Sequence, residues 1–261
     1  MTLAIQTAIV MVVLLVIMLA MGVSISISVG LSSAVAMLCM LPAQVSFVTS
    51  AQWLFAGANS FSLIAIPFFI LAGNLMNNGG IAERLVNVAK AIAGRMPGAL
   101  AQTNIIANML FGAISGSGAA AAAAMGGTIG PMEEKEGYDP VYSAAVNIAS
   151  APTGMLIPPS NLMIVYSTIA GSVSVAALFT AGYLPGILWG IIVMVIAGIT
   201  AKKKGYVIKE SISGKQALKA ILDAIPSLLL IVIIIGGILG GVFTATEASA
   251  VAVAYATILG L

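Results

Sequence analysis

The sequence predicts an all-α polytopic membrane protein that contains a re-entrant helical hairpin and a helix broken in mid-span. Three observations carry this. Of the 261 residues, 61% are hydrophobic and only 7% are charged, whereas soluble domains carry about 25% charged residues. The apolar runs are long and lack the period-2 alternation of a membrane barrel, so helices are the structures that can satisfy their backbone in lipid. Finally, two apolar stretches are punctuated by residues that interrupt a helix: Gly112-Ala-Ile-Ser-Gly-Ser-Gly118 and Ser150-Ala-Pro-Thr-Gly-Met-Leu-Ile-Pro-Pro-Ser160.

Residues 1–60 read as a scaffold of N-terminal spans plus an interfacial segment. Residues 3–41 are almost wholly apolar. As one straight helix they would extend about 58 Å at 1.5 Å per residue, well beyond the ~30 Å hydrocarbon core. Gly22 and the serines at 24, 26 and 28 favour a split into 3–21 and 24–41, with one long tilted helix as the alternative. No small-residue cleavage site precedes a soluble domain, so the first run reads as a membrane segment. Residues 42–60 carry Pro42, Gln44, Gln52, Trp53 and Asn59 and read as an interfacial loop or a short surface helix, with Trp53 suited to the headgroup belt.

Residues 61–97 comprise a span at 61–76, with a kink expected at Pro67, followed by a segment of different character. In 79–97 the charges Glu83, Arg84, Lys90 and Arg95 alternate with Ile81, Leu85, Val88, Ile92 and Met96, spaced three and four apart. That is an amphipathic helix, expected on the membrane surface, and its basic residues place it on the cytoplasmic side.

Residues 98–201 carry the two interruptions. The Gly/Ser knot at 115–118 divides 98–131 into two short arms, which suits a re-entrant hairpin better than one long span. The polar loop 133–140 follows on the same side as the hairpin's start. The span 141–170 contains Pro152, Gly154, Pro158 and Pro159. Adjacent prolines remove two backbone donors and crowd the preceding turn, so the helix unwinds there. Residues 176–201 form an ordinary span. In the segment 202–220 the lysines at 202, 203, 204, 209, 215 and 219 mark a cytoplasmic basic loop.

Residues 221–261 read as a span over 221–241 and the start of another from 245. With 202–219 inside and a re-entrant hairpin at 98–131, 42–60 lies outside and so does the N-terminus. The span at 221 then starts from the side opposite to residue 3. Ser33-Ala-Val-Ala36 recurs as Ser249-Ala-Val-Ala252. Parity and the short match together support an inverted repeat whose second copy has only begun.

Composition excludes several chemistries. There is no histidine and one cysteine, Cys39. Disulfides within the chain, His-ligated metals and Ser-His or Cys-His catalytic pairs are ruled out. Gly116-Ser117-Gly118 looks superficially like a nucleophile turn, but no base sits credibly near it, so an enzyme is not expected.

Paired helix breaks at membrane depth are how secondary carriers build a midplane ion and substrate site. At Ser115-Gly-Ser-Gly118 the hydroxyls and freed carbonyls are oxygen ligands of the kind a releasable Na⁺ site needs; close helix packing through small residues is the alternative. The carbonyls freed over 154–157 need donors or a cation, and the half-helix starting at Pro159/Ser160 points a positive N-terminal end at the break, which favours an anion. Gly116, Ser117, Gly118, Thr153, Pro158 and Ser160 are candidate lining residues. Asn147 and Asn161 flank the break, either as lining or as interhelical hydrogen-bonding groups. Glu247 is either a functional acid in the membrane or a helix cap.

Several motifs occur in order over about 140 residues: the 115–118 knot with its alanine run, Gly126-Gly-Thr-Ile-Gly-Pro131, Gly137-Tyr138, Leu156-Ile-Pro-Pro-Ser160, Ala181-Gly-Tyr-Leu-Pro-Gly186 and Phe243-Thr-Ala-Thr-Glu-Ala248. In these the chain resembles the large membrane subunit of tripartite ATP-independent periplasmic (TRAP) transporters, the DctM family. The resemblance covers the whole chain but only about the first half of such a subunit.

The resemblance implies an elevator-type secondary transporter of the bacterial inner membrane. It would be driven by Na⁺, fed by a periplasmic substrate-binding protein and paired with a DctQ-like small membrane subunit. The cargo would be an organic acid: a dicarboxylate, sialic acid or sugar acid. Matched by motif, the first-repeat Na⁺ falls on Ser115, Gly154, Ile157 and Pro159, largely through carbonyls. With the second hairpin missing, the chain alone is not expected to transport. The other readings are a broken-helix carrier that works without a binding protein, and a non-transporting fragment. Nucleic acid is not an expected partner.

Overall fold

The computed structural model describes residues 3–171, 173–206 and 214–260. Among them the chain forms thirteen α-helices and one 3-10 turn, with no strand. It divides into two compact units, Met1–Ser60 and Phe61–Leu261.

In the first unit, α1 (Leu3–Ala20) and α2 (Ile25–Leu38) pack against each other. Between them Gly22 takes φ +78°, a left-handed conformation that glycine adopts without steric cost. The single long helix is thereby excluded. None of the α1 residues is buried, as befits a helix whose surroundings are lipid. In α2 the buried Ser28 hydroxyl donates to Ser24 O at 3.0 Å and that of Ser32 to Val29 O at 3.1 Å, so neither is left unpaired. Residues 42–60 are a helix rather than a loop: α3 spans Ala43–Ala58, with Trp53 exposed.

The second unit begins with the 3-10 turn Phe61–Ile64 and α4 (Ala65–Asn78). Pro67 lies in the first turn of α4, where its missing N–H has no intrahelical acceptor to lose. The expected kink at Pro67 is therefore not a break within a span but a helix start. The amphipathic segment is α5 (Ile81–Ala93), and its apolar face is occupied by protein. Ile81, Leu85 and Val88 are buried against neighbouring helices, while Ile92 and Met96 stay exposed.

The hairpin is α6 (Ala99–Ser115) and α7 (Gly118–Lys135). Pro131 does not end it: α7 runs on through Glu133, so the loop expected over 133–140 shrinks to residues 136–139. The arms have 17 and 18 residues, about 26 Å each at 1.5 Å per residue. α6 is the centre of the unit, packed by α4, α5 and α7. Gln102, Thr103, Asn104 and Asn108 lie on it, all buried. Enclosure by protein rather than lipid is what makes these polar groups tolerable.

The broken helix is α8 (Pro140–Ser150), the short α9 (Thr153–Leu156) and α10 (Asn161–Ala170). Its axis bends by 47° between Pro140–Leu156 and Asn161–Ala170. Then α11 (Val175–Lys204) and α12 (Gly214–Leu239) follow. The expected basic loop 202–220 is thus helical at both ends, and its middle, with Lys209, lies outside the described residues. A turn at Gly240 and Gly241, the latter at φ +70°, leads to α13 (Ala245–Gly260), which packs on α4. Glu247 proves to be a cap. Its Oε2 accepts from Thr244 N at 2.8 Å and Thr244 Oγ1 at 2.9 Å, and Glu247 N donates back to Thr244 Oγ1 at 3.3 Å. This is a capping box.

Three helices among the described residues, α1, α11 and α12, are long and apolar enough to cross a bilayer. The open end of the hairpin is fastened to α11. Tyr206 stacks on Tyr138 with ring centres 4.2 Å apart, its hydroxyl accepts from Asp139 N at 2.8 Å, and Tyr142 donates to Ala197 O at 2.8 Å. Lys204 pairs with Asp139, which holds the carboxyl below and the amine above their ordinary ranges. Both partners are exposed, so the pair adds little.

Candidate cation and substrate site

The tip of the hairpin is a two-residue turn. Gly116 ends α6 at φ +63°, and Ser117 starts α7, its hydroxyl accepting from Ala120 N at 3.3 Å. The break facing it follows from the two prolines. Pro158 offers no N–H to the Gly154 carbonyl four residues back, and Pro159 offers none to Met155. The Met155 carbonyl is taken instead by the Ser160 hydroxyl. Ser160 also caps α10, accepting from Met163 N at 3.4 Å. Replacing Ser160 by alanine removes both bonds, and we expect a loss of about 1–2 kcal/mol, read as a lower thermal unfolding midpoint than for Ser167→Ala.

Tip and break are joined directly. Asn161 N donates to Gly116 O at 3.1 Å, and Asn161 Nδ2 donates to Ser115 O at 3.4 Å. The join is possible because glycines remove the side chains in its way. A β-carbon on Gly112 would fall on Gly154 Cα. One on Gly118 would sit 2.7 Å from Ala151 O. On the other side, Gly182 and Gly186 of α11 lie against Leu156 and Ile157; a β-carbon on Gly186 would be 2.7 Å from Ile157 Cγ1. The unwound turn is thus clasped between hairpin and α11, which keeps its backbone out of lipid.

A β-carbon on Gly116 would lie 2.9 Å from Pro159 O and 3.3 Å from Asn161 Oδ1. Both oxygens therefore face the space that this glycine leaves. Asn161 Oδ1 is buried and has no hydrogen-bond partner among the described residues. Ser115 is beside it, buried, and its hydroxyl makes only long contacts, 3.4 Å from Ser117 N and 3.5 Å from Ser117 O. A cluster of neutral oxygens with one unpaired acceptor suits a weakly held monovalent cation. No group of three or more Cys, Asp or Glu forms a site for a tightly held metal among the described residues.

Residues 12–261 match the model of the family described as "Tripartite ATP-independent periplasmic transporter, DctM component". The chain belongs to the DctM family. It is 56% identical over 229 residues to the uncharacterized protein YgiK of Salmonella typhimurium, covering 88% of this chain and 53% of that one. It is 43% identical to the C4-dicarboxylate TRAP transporter large permease protein DctM of Vibrio cholerae, covering 82% and 47% of the two chains. To the sialic acid TRAP transporter large permease protein SiaM of Vibrio cholerae it is 41% identical, covering 81% and 49%. The chain spans about half the length of these relatives. As a DctM-family protein with several apolar helices, it is a multi-pass membrane protein.

In this DctM chain Ser115, Gly116, Pro159 and Asn161 come together at one point. Gly154 and Gly118 serve close approach of backbones. Ile157 packs its side chain on Gly186, and Pro158 lies in the break. The hydroxyls of Ser117, Thr153 and Ser160 are engaged by backbone, Thr153 Oγ1 donating to Ser150 O at 2.6 Å. Two N–H groups at the start of α10 are likewise taken, by Gly116 O and Ser160 Oγ, so this helix end is less open to an anion than the sequence suggests. Asn147 belongs to a different constellation. Its Nδ2 donates to Ala122 O at 2.9 Å and its Oδ1 accepts from Asn108 Nδ2 at 3.0 Å.

Asn108 is the residue that sequence reasoning missed. Its Nδ2 also reaches Asn104 Oδ1 and Ser150 Oγ, each at 2.8 Å. The available signal was the spacing: Asn104 and Asn108, four apart, share one face of an apolar arm.

Proposed function

We propose that this chain is the first-repeat part of the large permease of a Na⁺-coupled, binding-protein-dependent TRAP transporter that imports an organic acid. The observation that carries the proposal is the contact of hairpin tip and broken helix, with Asn161 Oδ1 unpaired beside Pro159 O. Relatives named as large permeases for C4-dicarboxylate and for sialic acid support the cargo class, since both are carboxylates. The relative named DctMQ, a TRAP transporter permease for isethionate, supports pairing with a small subunit.

In the mechanism we infer, Na⁺ sits between Ser115 and the carbonyls of Gly154, Ile157 and Pro159, with Asn161 Oδ1 as a further oxygen. Gly116 keeps this space open. Cation binding adds an attraction between tip and break, so the hairpin and broken helix move as one body past the other helices in an elevator step. The turn at Gly241 between α12 and α13 resembles that at Gly22 between α1 and α2, which supports an inverted second repeat. The basic segment 202–220 faces the cytoplasm in this reading, and the N-terminus the periplasm.

The test is Na⁺-dependent stability of the purified chain at fixed ionic strength. A ligand that binds only the folded state at 100 times its Kd stabilises by about 2.7 kcal/mol. Na⁺ is expected to raise the unfolding midpoint over K⁺ or choline, and Asn161→Ala and Ser115→Ala to remove that rise. An equal midpoint in all three cations would sink the ion assignment. Reconstitution of the whole permease with and without its binding protein then checks the dependence on that partner.

A further inference from the structure

At the open end of the hairpin, away from the tip, α6, α7 and α8 enclose a cleft of about 310 Å³. Asn104, Gly130, Glu133, Ser143 and Asn147 line it. Glu133 is fully buried. Among the described residues neither of its carboxyl oxygens has a hydrogen-bond partner, and the same holds for Asn104 Nδ2 and Ser143 Oγ beside it.

The charges around Glu133 offer no compensation. In the cleft itself the titratable neighbours are Glu134, of like charge, and Tyr138. Tyr142 stands behind on α8, and the groups that α6 contributes are the neutral Asn104 and Asn108. Among the described residues, no lysine or arginine lines the cleft. A buried carboxylate without a partner is costly, so the site takes up positive charge. A metal cation is poorly served. Both amide atoms of Asn147 are engaged, and the free atom of Asn104 is an N–H donor, which repels a metal. The remaining buried, unpartnered oxygens, those of Glu133 and Ser143, are too few to replace a hydration shell. They suit a carboxyl group that exchanges a proton, with donors ready for its ionised form.

We propose that this cleft is a proton-binding site, in which Glu133 takes a proton from solvent to become a neutral acid and returns it on ionisation. The proton adds to one carboxyl oxygen and nothing else changes. On ionisation, Asn104 Nδ2 and Ser143 Oγ close onto the carboxylate. Asn104 is in turn bonded to Asn108, which reaches Asn147 and Ser150. A hydrogen-bonded chain thus runs from Asn104, beside Glu133, to the end of α8, where the break begins. Desolvation pushes the carboxyl from its ordinary 4.5 up to about 7, and the nearby donor groups of Ser143 and Asn104 offset only part of this. The folded chain therefore holds a proton that the unfolded chain has released. The burden on stability grows from pH 4.5 to about 7 and is full above that.

Infrared difference spectroscopy of the whole chain in lipid nanodiscs tests this through the C=O band of a protonated carboxyl. The band is expected to vanish with a midpoint near neutrality in the unmodified chain and to be missing in Glu133→Gln. Glu134→Gln leaves it in place. Ser143→Ala, which removes a donor to the ionised form, moves the midpoint upward, and this arm stands even if Glu133→Gln does not fold. A midpoint in the ordinary carboxylate range would overturn the proposal. So would loss of the band on adding Na⁺ at constant pH, because the charge would then be carried by a metal. Neither result touches the tip site, whose readout is the Na⁺ effect on Asn161→Ala.

Discussion

Replacing Gly112 by alanine is expected to lower the stability of this chain more than a methyl group placed on any neighbouring glycine. The added carbon would fall on Gly154 Cα, with Gly154 N at 3.0 Å. Backbone cannot rotate aside as a side chain can, so α6 and α9 must separate. Nor can α9 retreat freely, because Gly182 and Gly186 of α11 hold its far side. Overpacking of a core costs typically about 1–3 kcal/mol, and more where the neighbour is backbone. Gly127 in α7 provides the contrast. Nothing lies within 4 Å of a β-carbon there, and alanine in a helix interior is favoured over glycine by roughly 0.5–1 kcal/mol. The two substitutions should therefore move the unfolding midpoint in opposite directions, measured by circular dichroism in detergent. Equal small shifts would mean that the hairpin and the break are not in backbone contact.

Asn108→Leu is expected to be the costliest change to a polar residue in the hairpin. Asn108 Nδ2 has three acceptors within 3.0 Å: Asn104 Oδ1, Asn147 Oδ1 and Ser150 Oγ. An amide has two protons to donate, so two of the three are satisfied at a time. Leucine has nearly the same volume and supplies neither proton. Each buried acceptor left unpaired costs about 1–3 kcal/mol, so the loss should be roughly 2–4 kcal/mol with one acceptor partly resolvated. Because Asn147 also holds Ala122 O on α7, the loss spreads to the contacts among α6, α7 and α8. A double-mutant cycle with Asn147→Ala reads this directly. A coupling of about 1 kcal/mol or more is expected, and strictly additive effects would rule the network out.

Much of the fold was legible because its signals are local. Gly22, Gly116 and Gly241 mark turns through a backbone conformation that other residues resist. Pro158 and Pro159 withhold N–H groups from carbonyls four residues back, which unwinds a helix wherever the sequence occurs. Elsewhere context overrides or completes a local rule. Pro67, where a kink is expected, lies in the first turn of α4, and the hairpin arm expected to end at residue 131 carries Pro131 inside α7. The amphipathic pattern of α5 says only that one face is apolar. It does not say that α6 and α12 cover that face.

The candidate site divides along the same line. The sequence by itself determined that a hairpin tip and a helix break exist, and that both leave backbone oxygens without intrahelical donors. Chain stiffness, proline and glycine settle this within a few residues. Only the tertiary structure decided which oxygens meet. Asn161 reaches Ser115 and Gly116 across about 45 residues of chain, Gly112 meets Gly154, and Glu133 is enclosed with Asn104 and Ser143. These pairings depend on the packing of whole helices, in which the absence of a β-carbon at a few glycines sets how closely two backbones approach. No local pattern encodes that distance.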